Sequence, residues 1–196
     1  MSVEIDFNEV YEEFEPKILH YIARMTGIYE AEDITQEVFQ KVSIALEGFK
    51  GESKLSTWIY KIATNTALDN LRSPSSKRIV RQKQIFEDEE ENNLEPEAQD
   101  IWSGEKSASI EQGYVKDEMN NCIRNHIEDL QPDFRAVILL SEMEGLKNKE
   151  IAEVLGITLD TVKIRLHRGR GILKKELDSD CNFYRNEKNE PACDKK

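Results

Sequence analysis

One stretch, residues 148–175 (NKEIAEVLGITLDTVKIRLHRGRGILKK), limits the fold more than any other. It reads as two helices joined by a tight turn. Asn148 is placed as an N-cap, with Ile151, Ala152 and Leu155 as the apolar face behind it. Gly156 ends this helix, because glycine takes positive φ without a steric penalty. Thr158 caps the next one, whose apolar side carries Val162, Leu166 and Leu173. The spacing Ala152-x3-Gly156-x5-Val162 is what a helix-turn-helix requires. A small residue lets the helices approach, a glycine makes the turn, and a β-branched residue locks the second helix onto the first.

The other face of that second helix points to a partner. Between Thr158 and Lys175 stand six bases, Lys163, Arg165, Arg168, Arg170, Lys174 and Lys175, against Asp160 alone, with His167 among them. A basic helix after a tight turn can enter the major groove, where Arg and Lys pair with phosphates and guanine edges. The alternative is a solvated basic face on an ordinary helical hairpin. Gly169 and Gly171 weaken this helix by about 1 kcal/mol each relative to alanine, so a loose C-terminal end is expected.

The whole chain nevertheless carries a net charge of −12 over 196 residues. A protein that binds bare duplex unaided gains affinity from phosphate neutralisation. Here the bases sit on short faces and the acid elsewhere, which suits delivery to DNA by a partner. At 34% charged and 38% hydrophobic, the chain holds only small cores, one domain or two small ones. No apolar run approaches the roughly 18 residues of a membrane span. MSVEIDFNEV lacks a basic-then-apolar leader, so a cytoplasmic location without membrane insertion is expected. Three cysteines, Cys122, Cys181 and Cys193, are too few for a disulfide scaffold. Cys181-x11-Cys193 leaves a metal or redox site open beside free reduced thiols, but no paired histidines accompany it.

Along the rest of the chain the apolar period is helical. Phe7, Val10, Tyr11, Phe14, Ile18, Tyr21, Ile22 and Met25 form one stripe that Gly27 ends, with Pro16 inside it as a kink or break. A second helix, about Glu30 to Leu46, buries Ala31, Ile34, Val38, Val42 and Ala45 and shows Glu32, Asp33, Gln36, Glu37 and Gln40 on its far side. A loop at 48–53 precedes a third helix, Trp58 to Arg72, capped by Thr57 or Ser56. Loop and helix hold Phe49, Lys50, Lys54, Trp58, Tyr60, Lys61, Asn65 and Arg72; rings among bases suit single-stranded nucleic acid, although Trp58 and Tyr60 also fit a core. A linker follows, basic at first and then acid from Glu87 to Asp100, with too little hydrophobicity for a packed core. Beyond it a helix from Tyr114 places Val115, Met119, Cys122, Ile123, Ile127 and Leu130 on one face. Pro132 opens the next helix, Asp133 to Glu144, with Phe134, Val137, Ile138 and Leu140 buried and Gly145 closing it. No period-two alternation is sustained, so the fold class is all-α in two lobes, with a polar tail that frays or folds its aromatics back.

With both lobes laid out, three stretches carry a resemblance: AEDITQEVFQKV (31–42), FKGESKLSTWIYKIATNTALDNLR (49–72) and LQPDFRAVILLSEMEGLKNKEIAEVLGITLDTVKIRLHRGRGILKKEL (130–177). In this order they resemble the extracytoplasmic-function (group IV) RNA polymerase sigma factors of the sigma-70 superfamily. The resemblance implies a region 2 domain at 7–75, a flexible acidic linker at 76–114, a region 4 domain at 115–178 and a tail at 179–196. It implies that Asp33, Gln36, Glu37 and Gln40 grip core RNA polymerase, on its β′ and β subunits. Phe49, Lys50, Gly51, Glu52 and Ser53 would hold a base flipped from the −10 element, with Trp58, Lys61 and Asn65 beside it. Thr158, Thr161, Lys163, Arg165, His167, Arg168 and Arg170 would meet the −35 element, the first turn reading bases and the rest gripping phosphate. The acidic linker would thread the polymerase interior as a nucleic-acid mimic, or serve as a plain tether. The partners implied are core polymerase, promoter DNA and an anti-sigma factor; no cofactor, metal or catalysis of its own is expected. The competing readings are a stand-alone helix-turn-helix regulator and a metal-dependent nuclease using the carboxylates of 87–100. The net charge disfavours the first; the lack of histidine, glycine cradle or spaced ligands disfavours the second.

Overall fold

Helix α1, Phe7–Thr26, begins at Asp6, whose carboxylate accepts from Asn8 N–H at 2.7 Å, and ends at Gly27 with φ of 98°. The computed structural model describes residues 5–73, 122–185 and 191–196. The linker read at 76–114 and the start of the helix read from Tyr114 lie outside the described residues. Pro16 neither breaks nor ends α1. It stands on the exposed side, and so does Glu12, whose carbonyl has no N–H to accept from at position 16. Val10, Phe14, Ile18, Tyr21, Ile22 and Met25 are buried as the stripe requires.

Helix α2, Ile28–Ala45, packs antiparallel to α1 and runs into a single 3-10 turn at Leu46–Gly48. The turn shifts the last buried position: Leu46 is in the core and Ala45 is exposed, the reverse of what the period alone suggests for Ala45. Helix α3, Leu55–Arg72, starts earlier than expected, from Lys54 with no side-chain cap. Thr57 and Ser56 are therefore inside the first turn, and Thr57 is buried rather than capping. Tyr21 and Thr64 join α1 to α3 through a hydroxyl pair at 2.8 Å in the core.

In the second lobe residues 122–128 form helix α4. Helix α5, Pro132–Ile138, carries proline at its first position, where no N–H is needed. The expected helix to Glu144 changes character after Ile138. Leu139–Met143 are a π turn, closed by Glu144 N–H donating to Leu139 O at 3.1 Å. Ala136 to Leu140 are all buried, so this short segment is apolar all round and belongs at the centre of the lobe. Helix α6, Asn148–Leu155, follows. Lys147, not Asn148, is its N-cap residue, and Glu150 accepts from Lys147 N–H at 2.8 Å. Helix α7, Leu159–Asp180, completes the lobe.

Both lobes are all-helical. The tail adds a small antiparallel hairpin, β1 (Cys181–Arg185) with β2 (Pro191–Lys195), in the register Cys181 to Lys195 and Phe183 to Cys193. Lys196 N–H donates to Asp180 O at 2.8 Å, so the chain end returns to the end of α7.

Candidate nucleic-acid and polymerase interfaces

The helix-turn-helix is built as its spacing requires. Gly156 adopts φ 64° and ψ 33°, the left-handed cap, and Ile157 N–H returns to Ala152 O at 3.1 Å. Thr158 Oγ1 accepts from Thr161 N–H at 3.2 Å, and the two hydroxyls pair at 2.8 Å. Val162 and Leu166 are buried against α5 and α6, together with Ile151 and Val154. These contacts fix the angle at which α7 leaves the lobe.

Gly169 is part of this packing. A β-carbon there would lie 3.2 Å from Ile138 Cγ1 and 3.4 Å from its Cδ1, so α7 approaches α5 through a residue without a side chain. The helix continues unbroken to Asp180 despite Gly169 and Gly171, and the expected loose end is not seen. Packing against Ile138 offsets the propensity lost at Gly169. At Gly171, which meets nothing within 4 Å, no compensation is visible.

The solvent side of α7 presents Lys163, His167, Arg168 and Arg170. They are not equivalent. Arg165 is only 26% exposed and donates to Asp133 of α5 at 2.6 Å, so much of its charge is spent inside the lobe. Arg170 grips Glu142 at 2.5 Å, and Lys163 meets Asp160 at 3.2 Å. Arg168 has no ion pair among the described residues and points its full charge outward.

In the first lobe the residues read for the −10 element form one patch. Phe49 packs against Trp58 with ring centroids 5.2 Å apart and the planes tilted by 46°. Lys50, Gly51 and Glu52 are exposed around this pair, Ser53 is half-buried, and Gly51 takes φ 69° to turn the loop. Lys61 and Asn65 lie exposed one and two turns along α3. Tyr60 does not join them. It is core, edge-on to Tyr21 at 5.4 Å.

On α2, Asp33, Gln36, Glu37 and Gln40 are all exposed, and Glu37 holds Lys41 at 2.7 Å. Between α1 and α2 runs a groove of about 330 Å³ that includes Gln36 and Gln40, floored by Tyr11 and Phe39 with rings 4.9 Å apart.

Sequence periodicity did not anticipate how the lobes meet. Glu144, at the end of the π turn, accepts from the Tyr60 hydroxyl of α3 and faces Arg24 of α1 at 3.7 Å. Burial raises the Glu144 carboxyl above its usual range, although Tyr60 and Arg24 oppose the rise. Burial and the adjacent Glu144 charge push the Tyr60 phenol up. Lys54, at the start of α3, reaches Glu150 of α6 at 2.7 Å. Arg135 of α5 donates to the carbonyl of Met25 in α1 and to those of Glu128 and Leu130. The Glu144, Lys54 and Met25 contacts join residues far apart in sequence, and no spacing rule connects them.

Comparison with known proteins agrees with this layout. Residues 10–77 match the family Sigma-70 region 2, and residues 120–173 match Sigma-70, region 4. The ECF RNA polymerase sigma factor SigW of Bacillus subtilis is 33% identical over 172 residues, 87% of this chain and 88% of that protein. The RNA polymerase sigma-H factor of Pseudomonas aeruginosa is 33% identical over 170 residues, 84% of this chain and 82% of that protein. In fold the chain is similar to the sigma factor RpoE solved with the anti-sigma factor NepR from Bartonella quintana, with a TM-score of 0.62 at 20% identity over 89% of this chain and 98% of that one. CnrH, solved with the cytosolic domain of CnrY, gives a TM-score of 0.57 at 20% identity, covering 89% of this chain and 88% of that one. The presence of both sigma regions sets aside a stand-alone helix-turn-helix regulator. One position in three is shared with two sigma factors along most of their length, and the chain belongs to the extracytoplasmic-function class of the sigma-70 family, as a promoter-directing transcription initiation factor.

Proposed function

We propose how the work is divided along the chain. A domain at 7–75 binds core RNA polymerase and opens the −10 element, and a domain at 115–178 reads the −35 element. Asp33, Gln36, Glu37 and Gln40 meet the clamp helices of β′. The Phe49–Trp58 pair, with Lys50, Gly51, Glu52 and Ser53 around it and Lys61 and Asn65 further along α3, receives an extruded base and its backbone. Melting costs stacking and pairing energy, which a base seated beside an aromatic pair offsets. In the −35 contact Thr158 and Thr161 lie nearest the bases. Lys163, Arg168 and Arg170 neutralise phosphate, with His167 beside them, and Arg165 first orients α7 through Asp133.

One observation carries this reading. The exposed bases of α7 lie on the part of the helix that the buried Val162, Leu166 and Gly169 leave outside the packing, and its exit angle is set by Gly156, the Thr158 cap and the close approach at Gly169. The net charge of −12 means that the chain gains little from binding DNA unaided, so core polymerase is its obligate partner on promoters. The chain contributes no catalysis; nucleotide addition belongs to the polymerase. It works in the cytoplasm, and none of the described helices is long and apolar enough to cross a membrane. An anti-sigma factor is a further partner, a reading supported by the likeness in fold to two sigma factors solved in complexes of that kind.

Transcription with sigma-free bacterial core polymerase on fragmented genomic DNA, followed by sequencing of RNA 5′ ends, tests the division. Defined starts sharing two upstream elements should appear only when the chain is added. Arg168→Glu should abolish promoter recognition and spare polymerase binding, and changes at Asp33 and Gln36 should do the reverse. Loss of both properties in every variant, with folding intact, would refute the assignment.

A further inference from the structure

The tail meets the start of the second lobe at two thiols. Cys122 opens the described part of α4, and Cys181 directly follows the last residue of α7. Their Sγ atoms lie 3.0 Å apart and are not bonded. That is about 1 Å longer than a disulfide bond. One turn along α4, His126 Nε2 stands 3.5 Å from a carboxylate oxygen of Asp180, the residue next to Cys181. Two neighbouring side-chain pairs therefore hold the same two backbone segments together. Among the described residues no three potential ligand side chains converge on a metal position.

The pairing differs from the one that sequence spacing suggests. Cys181 stands opposite Lys195 across the hairpin, and Cys193 stands opposite Phe183. Cys181 and Cys193 are thus a diagonal pair, and such positions lie about 7–8 Å apart in an antiparallel ladder, beyond easy bridging. Cys181 is 3% exposed, whereas Cys122 is half-buried, so a small oxidant reaches Cys122 first.

We propose that Cys122 and Cys181 form a reversible intramolecular disulfide site that responds to peroxide. The Cys122 thiolate attacks hydrogen peroxide; an S–O bond forms, the O–O bond breaks and hydroxide leaves. The Cys181 sulfur then attacks the sulfenic acid sulfur; the S–S bond forms, the S–O bond breaks and water leaves. Two thiols lose two electrons and two protons in all, and one peroxide becomes two waters. A small-molecule dithiol reverses the change by exchange. The bond closes a loop that contains α5, α6 and all of α7, so it restricts the unfolded second lobe. The DNA-facing side of α7 is left unchanged. A reducing cytoplasm keeps the pair as thiols until oxidant rises.

The test uses the full-length chain. Protein treated with hydrogen peroxide, then alkylated and digested without reductant, should give a Cys122–Cys181 linked peptide by mass spectrometry that dithiothreitol removes. The oxidised chain should melt several degrees higher than the reduced one. Cys193→Ser should keep both effects, and Cys122→Ser should lose both. The peptide map needs no variant, so a poorly folded Cys181→Ser protein does not block the result. A Cys181–Cys193 link, only intermolecular links, or sulfinic acid at Cys122 without a cross-link would overturn the proposal.

Discussion

Alanine at the two glycines of α7 should have opposite consequences, although helix propensity treats them alike. Each replacement in a helix interior gains about 0.8–1.0 kcal/mol from propensity alone. At Gly171 a β-carbon meets nothing within 4 Å, so Gly171→Ala should gain most of that amount. At Gly169 the same carbon would lie 3.2 Å from Ile138 Cγ1 and 3.4 Å from Cδ1. Ile138 is 1% exposed and has no solvent to swing into. Overpacking of this kind costs about 1–3 kcal/mol, which equals or exceeds the propensity gain. Gly169→Ala should therefore be destabilising by up to about 2 kcal/mol. Urea unfolding followed by circular dichroism measures both: the midpoint should rise for Gly171→Ala and fall for Gly169→Ala, with unchanged slopes. Equal stabilisation by the two substitutions would show that Ile138 yields freely and that glycine is not needed where α7 meets α5.

Three further outcomes are expected. Arg168→Ala should leave stability within about 0.5 kcal/mol and lower the salt dependence of holoenzyme binding to promoter DNA by about one phosphate contact; Arg165→Ala should also lower stability by about 0.5–1 kcal/mol, because its partly exposed pair with Asp133 is lost. Thr158→Ala should cost about 1 kcal/mol and Thr158→Ser almost nothing, since only the hydroxyl caps α7, as thermal melts of the three proteins would reveal. Because burial raises the Glu144 carboxyl in the folded chain, its contribution favours folding below the ordinary value of 4.5 and fades as pH rises through the raised value. The urea midpoint of the native chain minus that of Glu144→Gln should thus fall as pH rises above 4.5 toward neutrality; a flat difference would mean that the carboxylate is already fully compensated by Arg24 and Tyr60.

Much of this molecule follows from local rules. The stripe from Phe7 to Met25, the glycine at 156, the Thr158 cap and the buried Val162 and Leu166 are each settled within a few residues of sequence, where periodicity and φ preferences act. The exposed rows Asp33 to Gln40 on α2 and Lys163 to Arg170 on α7 follow from the same period, being what remains when the apolar side is buried. Local reading failed where a distant segment changed the balance. It placed the start of α3 at a hydroxyl residue, but Thr57 is buried in the core of the first lobe. It expected a loose end after Gly169, but Ile138, 31 positions earlier, fills the space the glycine leaves. The Glu144 contact with Tyr60 and Arg24, the Arg135 bridge to Met25, and the approach of Cys181 to Cys122 join segments that share no spacing. Sequence by itself determined the helices, the turn between α6 and α7 and the sides that face water, because those depend on neighbours one turn away. Only the tertiary structure decided which charges on those sides stay free and which are spent on the fold, because that depends on what the folded chain brings beside them.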